Sequence, residues 1–260
     1  MTVYFIGAGP GAADLLTIRG RDLIRRCELC LYAGSLVPEV IAAHAPRAAR
    51  VVNTAGLALE EIMAELTVAH AIGQDVARVH SGDPSLYSAI GEQMAQLDAE
   101  NIPYEVVPGV PAFAAAAAAI GKELTLPEVA QSVVLTRTSA RSSPMPDGED
   151  LATFAASGAT LILHLSARRM TEVAAELLPF YGADCPAVCV AHASQPNEVI
   201  LHATLGNIGE KMKAAEIVRT AIILIGPVLA AEAKAKSRLY DATHDRYLKP
   251  ASAMPDGGET

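Results

Sequence analysis

The sequence has few aromatic side chains with which to fill a core. Its 260 residues include no Trp, and Phe and Tyr together make up only 4% of the chain. Hydrophobic residues nevertheless reach 51%, so small aliphatic side chains must supply most of the buried volume. A chain of this length can form one large domain or two smaller ones. Its composition favours α/β layering with fully buried parallel strands.

Charge is also scarce, and its balance is acidic. Charged residues make up 19% of the chain, and the formal net charge is −9. A field of this sign repels nucleic acid, so no nucleic-acid partner is expected. The longest apolar run, residues 112–120, is well short of the roughly 18 residues that a membrane-spanning helix needs. With no signal peptide before the apolar run at residues 3–6, we expect a cytoplasmic protein without a membrane partner.

Residues that bind metals are few and poorly spaced for that purpose. The seven histidines show no H-x3-H spacing, and the four cysteines form two close pairs, Cys27 with Cys30 and Cys185 with Cys189. Such pairs occur in zinc and redox sites, but free cysteines are also common as small buried residues. No glycine turn shapes a metal knuckle between Cys27 and Cys30. We therefore expect buried cysteines and no protein-bound metal.

The first half of the chain alternates apolar runs of strand length with helical apolar spacing. Strands separated by helices in this way imply right-handed crossovers and an open parallel sheet. The predicted strands are residues 3–6, 29–32, 76–79 and 104–107, and the predicted helices are residues 15–26, 59–72, 86–100 and 112–120.

The pattern changes in the second half, where strands follow one another at shorter spacing. Two of them flank the short turn Gln195-Pro196-Asn197 and should be antiparallel. The prediction is therefore two α/β domains, an N-terminal open parallel sheet and a C-terminal mixed sheet, with an active-site cleft between them. The proposed limits are residues 1–118, 119–249 and a disordered tail at 250–260. The predicted strands are residues 132–136, 160–163, 187–191, 199–204 and 221–225.

Three loops rich in glycine or proline directly follow predicted strands, at residues 7–12, 81–87 and 107–113. The carboxyl ends of parallel strands are where α/β proteins bind ligands. In the second loop, Asp83 can accept hydrogen bonds, and Ser85 is predicted to cap a helix that begins near Leu86.

The first loop, Gly-Ala-Gly-Pro-Gly-Ala, also fits the G-x-G-x-x-A pattern of dinucleotide-binding proteins. Two features disfavour that interpretation. The second strand ends in Leu-Tyr-Ala-Gly, without the acid that binds a ribose, and Pro10 removes a backbone donor where a pyrophosphate needs one.

Taken together, the three loops resemble those of the methyltransferases that act on uroporphyrinogen and precorrins, from residue 2 to about residue 230. Residues 31–37, Leu-Tyr-Ala-Gly-Ser-Leu-Val, resemble the branch of that family that methylates C11 of precorrin-4, and so does Thr136-Arg137-Thr138. The sirohaem-type branch has an Asp and a Lys that this chain lacks near Ala33 and Asn53.

The resemblance implies that S-adenosylmethionine binds as methyl donor in the cleft, that the substrate is a tetrapyrrole, and that the protein is a homodimer. Asp83 is the candidate catalytic residue, with a positioning or proton-handling role. The residues expected to line the cofactor site are Pro10, Ser81, Gly82, Asp83, Leu86, Pro111, Ala112, Leu165, Ala193, Thr220 and Ala221.

The substrates of the resembling enzymes carry many carboxylates, which conflicts with a chain of net charge −9 unless a local cationic rim is present. Arginine binds carboxylates bidentately, which makes Arg137, Arg141, Arg168 and Arg169 candidate substrate ligands. The alternative is that all four are ordinary surface charges.

Methyl transfer from a sulfonium needs alignment rather than a nucleophile–base pair, because the donor already carries the activation. Several alternatives stay open at this stage. Within the family they are a cobalt-containing substrate, another precorrin carbon, and an RNA or diphthamide-precursor substrate. Outside it they are a nucleotide-binding dehydrogenase and a sensor that binds ligand without turnover.

Overall fold

The computed structural model describes residues 1–139 and 144–231. The first sheet has five parallel strands in the order β3-β2-β4-β1-β5. This confirms the predicted N-terminal parallel sheet. Its strands are β1 (Val3–Gly7), β2 (Leu29–Tyr32), β3 (Arg50–Asn53), β4 (Val76–His80) and β5 (Tyr104–Val107).

The second sheet is mixed, as predicted, in the order β6-β7-β10-β8-β9. The first two strands are parallel and the other neighbours are antiparallel. The pairing of Ala191 with Val199 confirms the hairpin expected around Gln195-Pro196-Asn197. The strands are β6 (Val133–Arg137), β7 (Thr160–His164), β8 (Pro186–Ala191), β9 (Val199–Thr204) and β10 (Ala221–Ile225).

Eight α-helices in the described residues cover the two sheets on both faces. On each face, aliphatic side chains from strands and helices form a separate core. The central strands β1, β2 and β4 are buried along their whole length, which explains the continuous apolar sequences of β1 and β2. Strand β4 differs because it buries Arg78 and His80 among its apolar residues. The helices are α1 (Ile18–Ile24), α2 (Glu39–Ala42), α3 (Leu59–Ala71), α4 (Ile90–Ala99), α5 (Ala112–Ala119), α6 (Leu151–Ala155), α7 (Met170–Tyr181) and α8 (Ile208–Ala214).

The helix predicted over residues 86–100 was placed too early. Helix α4 begins at Ile90, because Tyr87 and Ala89 adopt positive φ angles of 55° and 50° that no α-helix accommodates. The predicted cap at Ser85 is therefore wrong, and its backbone N–H and hydroxyl donate to Asp83 instead. The intervening segment stays in a loop that borders the cleft.

The helix predicted over residues 15–26 is also shorter than expected. A 3-10 turn over Ala13–Leu15 ends before a true helix begins at Ile18. The Thr17 hydroxyl accepts a hydrogen bond from the Gly20 N–H at 3.0 Å, which caps the new start.

The exact domain limits stay a proposal. Helix α5, which the sequence division at 118 assigns to the first domain, packs its Ala115 and Ala116 against Ile162 and Val188 of the second sheet. The proposed tail at 250–260 lies outside the described residues. Within residues 1–139 and 144–231, no helix has the length and apolar character needed to cross a bilayer.

The four cysteines lie in two different cores. Cys27 and Cys30 pack in the first domain, whereas Cys185 and Cys189 pack under the second sheet, so they form no shared four-thiolate site. Burial raises the pKa of Cys27 and Cys189 to about 12 and that of Cys30 to about 11. All four therefore stay protonated and act as small apolar residues.

We expect the native protein to react with a thiol-modifying disulfide reagent at pH 8 at least about tenfold more slowly than the protein in denaturant, because buried thiols supply almost no thiolate. Spectrophotometric release of the reagent's chromophore measures both rates. Rapid release from any thiol of the native protein would contradict this placement of the cysteines.

Candidate functional site

Three strand-end loops of the first sheet meet where Gly7 and Gly109 leave no space for a Cβ atom beside the backbone of Gly82. A Cβ at Gly7 would lie 2.6 Å from the backbone of Gly109 and 2.7 Å from the carbonyl oxygen of Gly82. A Cβ at Gly109 would collide with the same carbonyl. Because β1 lies between β4 and β5, these three loops leave the sheet side by side and pack backbone against backbone.

Backbone hydrogen bonds join the first two loops. The Ala8 N–H donates to the His80 carbonyl at 2.7 Å, which continues the parallel ladder beyond the strands. Gly9 and Gly82 then exchange two hydrogen bonds, at 3.2 and 2.8 Å. These two loops therefore form one rigid layer at the carboxyl edge of the sheet.

Asp83 ties the second loop to the third. One carboxylate oxygen accepts from the Ser85 N–H at 2.8 Å and from the Ser85 hydroxyl, while the other accepts from the Gly109 N–H at 2.9 Å. Partial burial acts to raise the pKa of Asp83, but these hydrogen bonds outweigh it and hold the pKa below its ordinary value. The carboxylate is therefore ionised at neutral pH and engaged through both oxygens.

The first loop also contacts the second domain. The Ala12 N–H donates to the Ser194 hydroxyl at 3.0 Å, and the Gln195 side-chain amide donates to the Pro10 carbonyl at 3.3 Å. Ser194 and Gln195 follow strand β8, so this end of the second sheet is held against the strand ends of the first.

A cavity of about 650 Å³ lies between the two sheets. All the residues expected from the sequence to hold a cofactor line it, from both domains: Pro10, Ser81, Gly82, Asp83, Leu86, Pro111, Ala112, Leu165, Ala193, Thr220 and Ala221. The geometry brings them together, whereas their contact with a cofactor stays a proposal.

Unusual backbone conformations occur around this cavity. Tyr87, Leu165 and Thr220 all line it and have φ angles of 55°, 54° and 52°. Leu165 is also 70% exposed, although it is a large apolar residue. Non-glycine residues held at positive φ are enriched at ligand-binding sites.

The four candidate arginines are placed differently. Arg168 lines the cavity. Arg137 lies close enough to the cavity residue Tyr87 to lower that residue's pKa in part, although burial raises it overall. Arg169 is absent from the cavity wall and donates to the Ser139 carbonyl at 2.8 Å. Arg141 lies outside the described residues.

Sequence reasoning missed several polar residues of the cavity wall, among them Arg78 and His80 on β4. Arg78 lies within the predicted strand at residues 76–79, and His80 directly follows that strand. The signal available was their position: two residues apart and immediately before the Gly82-Asp83 loop, they share one face of the strand. The cavity wall also includes His164, whose ring lies 5.1 Å from that of Tyr87.

The family model for Tetrapyrrole (Corrin/Porphyrin) Methylases matches residues 2–209. The chain belongs to the tetrapyrrole methylases. Among curated members of this family, a precorrin-4 C(11)-methyltransferase from Rhodococcus erythropolis is 55% identical, covering 95% of this chain and 99% of the relative. A cobalt-precorrin-4 C(11)-methyltransferase from Methanocaldococcus jannaschii is 40% identical, covering 95% of each.

Solved tetrapyrrole methylase structures have the same two-sheet architecture. A cobalt precorrin-4 methyltransferase superposes with a TM-score of 0.86 at 39% identity, covering 88% of this chain and 96% of that one. A uroporphyrin-III C-methyltransferase from Thermus thermophilus, complexed with S-adenosylhomocysteine, superposes with a TM-score of 0.74 at 30% identity. The match covers 88% of this chain and 99% of that one.

We expect Asp83→Asn to lower the free energy of unfolding by about 1–3 kcal/mol, because an amide offers one acceptor oxygen where the carboxylate uses two. The depressed pKa adds a pH dependence. Stability from the ionised carboxylate is complete above its ordinary value of 3.8 and is lost as the pH falls through the lower folded value.

Denaturant titrations between pH 3 and pH 7 measure both effects. The difference between wild type and Asp83→Asn should be constant near neutral pH and shrink at the acidic end. A difference that stayed constant down to pH 3 would contradict the proposed hydrogen bonding of Asp83.

Proposed function

We propose that this tetrapyrrole methylase transfers a methyl group from S-adenosylmethionine to C11 of precorrin-4, giving precorrin-5 in cobalamin biosynthesis. The observation that carries the proposal is the cavity between the sheets, whose walls combine the three glycine loops with residues of the second domain. Its support from the comparisons is the 55% identity to a precorrin-4 C(11)-methyltransferase over nearly the whole chain.

The cavity suits the methyl donor in shape. The wall near Gly82 and Ala112 carries almost no side-chain bulk, so a ligand can approach the backbone closely. Leu86, Leu165 and Ala193 add apolar surface on facing sides. When bound there, S-adenosylmethionine supplies an activated methyl group, and the residues of the cavity hold the acceptor carbon in line with it and exclude water.

The state of Asp83 supports a positioning role within this reaction. Both of its oxygens accept hydrogen bonds from Ser85 and Gly109, and its pKa is depressed. A carboxylate in that state is a weak proton acceptor at neutral pH. We therefore propose that Asp83 fixes the shape of the loop around the donor rather than moving a proton.

Identity to relatives favours the metal-free substrate. The precorrin-4 enzyme from Rhodococcus erythropolis is 55% identical, against 40% for the cobalt-precorrin-4 enzyme from Methanocaldococcus jannaschii. Cobalt-precorrin-4 is the second candidate substrate, because the structure that superposes with a TM-score of 0.86 is a cobalt precorrin-4 methyltransferase.

A nucleotide-binding dehydrogenase is disfavoured by the end of β2. The strand is followed by Ala33 and Gly34, with no acidic side chain to bind a ribose. Pro10 also provides no backbone N–H for a pyrophosphate. A homodimer and a cytoplasmic location, both expected from the family resemblance and the sequence, remain predictions.

The direct test supplies enzymatically prepared precorrin-4 with S-adenosylmethionine carrying a ¹³C-methyl group. We expect a product with one added methyl, which ¹³C NMR assigns to C11, and slower turnover with cobalt-precorrin-4 in a parallel reaction. Transfer to another carbon, or no transfer to either substrate by protein that still binds S-adenosylhomocysteine, would contradict the proposal.

Arg168 offers a test of substrate charge recognition. We expect Arg168→Ala to raise the KM for precorrin-4 by about tenfold, because one charge-assisted contact to a substrate carboxylate is lost. The affinity for S-adenosylhomocysteine should stay unchanged. Arg25→Ala, which removes an exposed arginine after α1, is the matched control. Equal losses of substrate and cofactor affinity would contradict the role of Arg168.

A further inference from the structure

A buried arginine lies in the wall of the cavity. Arg78 occupies β4, the central strand of the first sheet, and is only 4% exposed. It nevertheless lines the cavity between the two sheets. An arginine at this depth is unusual because burying a guanidinium costs free energy unless an anion accompanies it.

The hydrogen-bond partners of Arg78 are all neutral. Its Nε donates to the Gln93 side-chain oxygen at 3.1 Å, and one terminal nitrogen donates to the Thr54 hydroxyl at 3.1 Å and to the Leu31 carbonyl at 3.5 Å. No ion pair involves Arg78 within residues 1–139 and 144–231. The neighbouring Cys30 thiol is protonated, since burial raises its pKa to about 11.

The guanidinium remains charged despite this environment. Burial lowers the pKa of Arg78 to about 10, which still leaves the group cationic at neutral pH. The described part of the chain thus holds a fixed positive charge at the cavity wall without a protein carboxylate to balance it. This local cation is what an acidic chain needs in order to bind an acidic ligand.

His80 adds a neutral polar group two residues further along β4, on the same face of the strand. It is 4% exposed and lines the cavity, and its Nε2 has no hydrogen-bond partner among the described residues. Burial, with a smaller contribution from Arg78, lowers the pKa of His80 to about 3. The ring is therefore neutral and has one N–H to donate.

We propose that Arg78 and His80 form a carboxylate-binding site in the wall of the cavity, the guanidinium supplying the charge and the imidazole a neutral donor. The inference rests on the proposed function, which offers two carboxylate sources. These are an acetate or propionate group of the tetrapyrrole and the amino-acid carboxylate of the methyl donor. In either case the ligand carboxylate is the counterion that Arg78 lacks among the described residues.

If Arg78 had a purely structural role, a change in its charge balance would leave ligand affinity unchanged. In that case the guanidinium only ties β2 and Thr54 to helix α4 through its three acceptors. Gln93 separates the two roles because it contacts Arg78 but does not line the cavity. Gln93→Glu has nearly the same shape and would supply an internal anion to Arg78.

If Arg78 binds a ligand carboxylate, Gln93→Glu should preserve or raise the melting temperature and weaken binding of that ligand by at least about tenfold. Gln96→Glu is the matched control, since it adds the same charge to an exposed position of the same helix. His80→Asn should weaken the same ligand, by a smaller factor, because the charge of Arg78 remains.

Two probes identify the carboxylate. Calorimetry with S-adenosylhomocysteine reports the donor side, and quenching of uroporphyrin III fluorescence reports a tetrapyrrole with acetate and propionate groups. A loss of affinity for either probe, confined to Gln93→Glu and absent from Gln96→Glu, supports the site, and the affected probe names the source. Unchanged affinity for both probes in folded Gln93→Glu protein would overturn it. Wild-type protein that bound neither probe would instead refute the proposed function.

Discussion

The close approach of three backbone segments at Gly7, Gly82 and Gly109 is the constraint on which the site depends. Because Gly7 and Gly109 lack Cβ atoms, their backbones approach each other and the Gly82 carbonyl, and the loops after β1, β4 and β5 pack into one layer at the edge of the sheet. Asp83 then joins that layer by accepting hydrogen bonds from two of the loops. The resulting surface is rigid and nearly free of side chains, and the second domain forms the opposite wall of the cavity.

Charge is distributed unevenly between the chain and its cavity. The protein as a whole is acidic, with a net charge of −9, yet Arg78, Arg168 and Arg219 all line the cavity. Arg78 differs from the other two because it is buried and held in place by neutral acceptors. A cation fixed in this way loses little conformational entropy when an anionic ligand binds.

Much of this architecture could be predicted from the sequence because its signals are local. Apolar runs such as residues 3–6 are typical of strands buried on both faces, and turn residues after them mark the ligand-binding edge. The short strand Arg50–Asn53 was missed because three of its four residues are exposed, which leaves no apolar run to recognise. Helix α4 was started too early because left-handed residues such as Tyr87 and Ala89 carry no sequence signal comparable to glycine or proline.

The polar part of the site was harder to predict because it depends on tertiary contacts. Arg78 lies within a strand sequence, and only the positions of Thr54 and Gln93 reveal that its charge is held at a cavity wall. Conversely, Arg169 follows Arg168 in a cationic segment but turns toward the Ser139 carbonyl. Neighbouring residues of a short 3-10 turn point in different directions, so sequence proximity alone does not decide which one reaches the ligand.

The central claim is that the cavity between the two sheets binds S-adenosylmethionine. Calorimetric titration of the purified protein with S-adenosylhomocysteine, beside a parallel titration with NAD, tests it most directly. The account predicts saturable binding of S-adenosylhomocysteine at one site per chain and no heat of binding from NAD. Binding of NAD alone, or no binding of either compound, would contradict it.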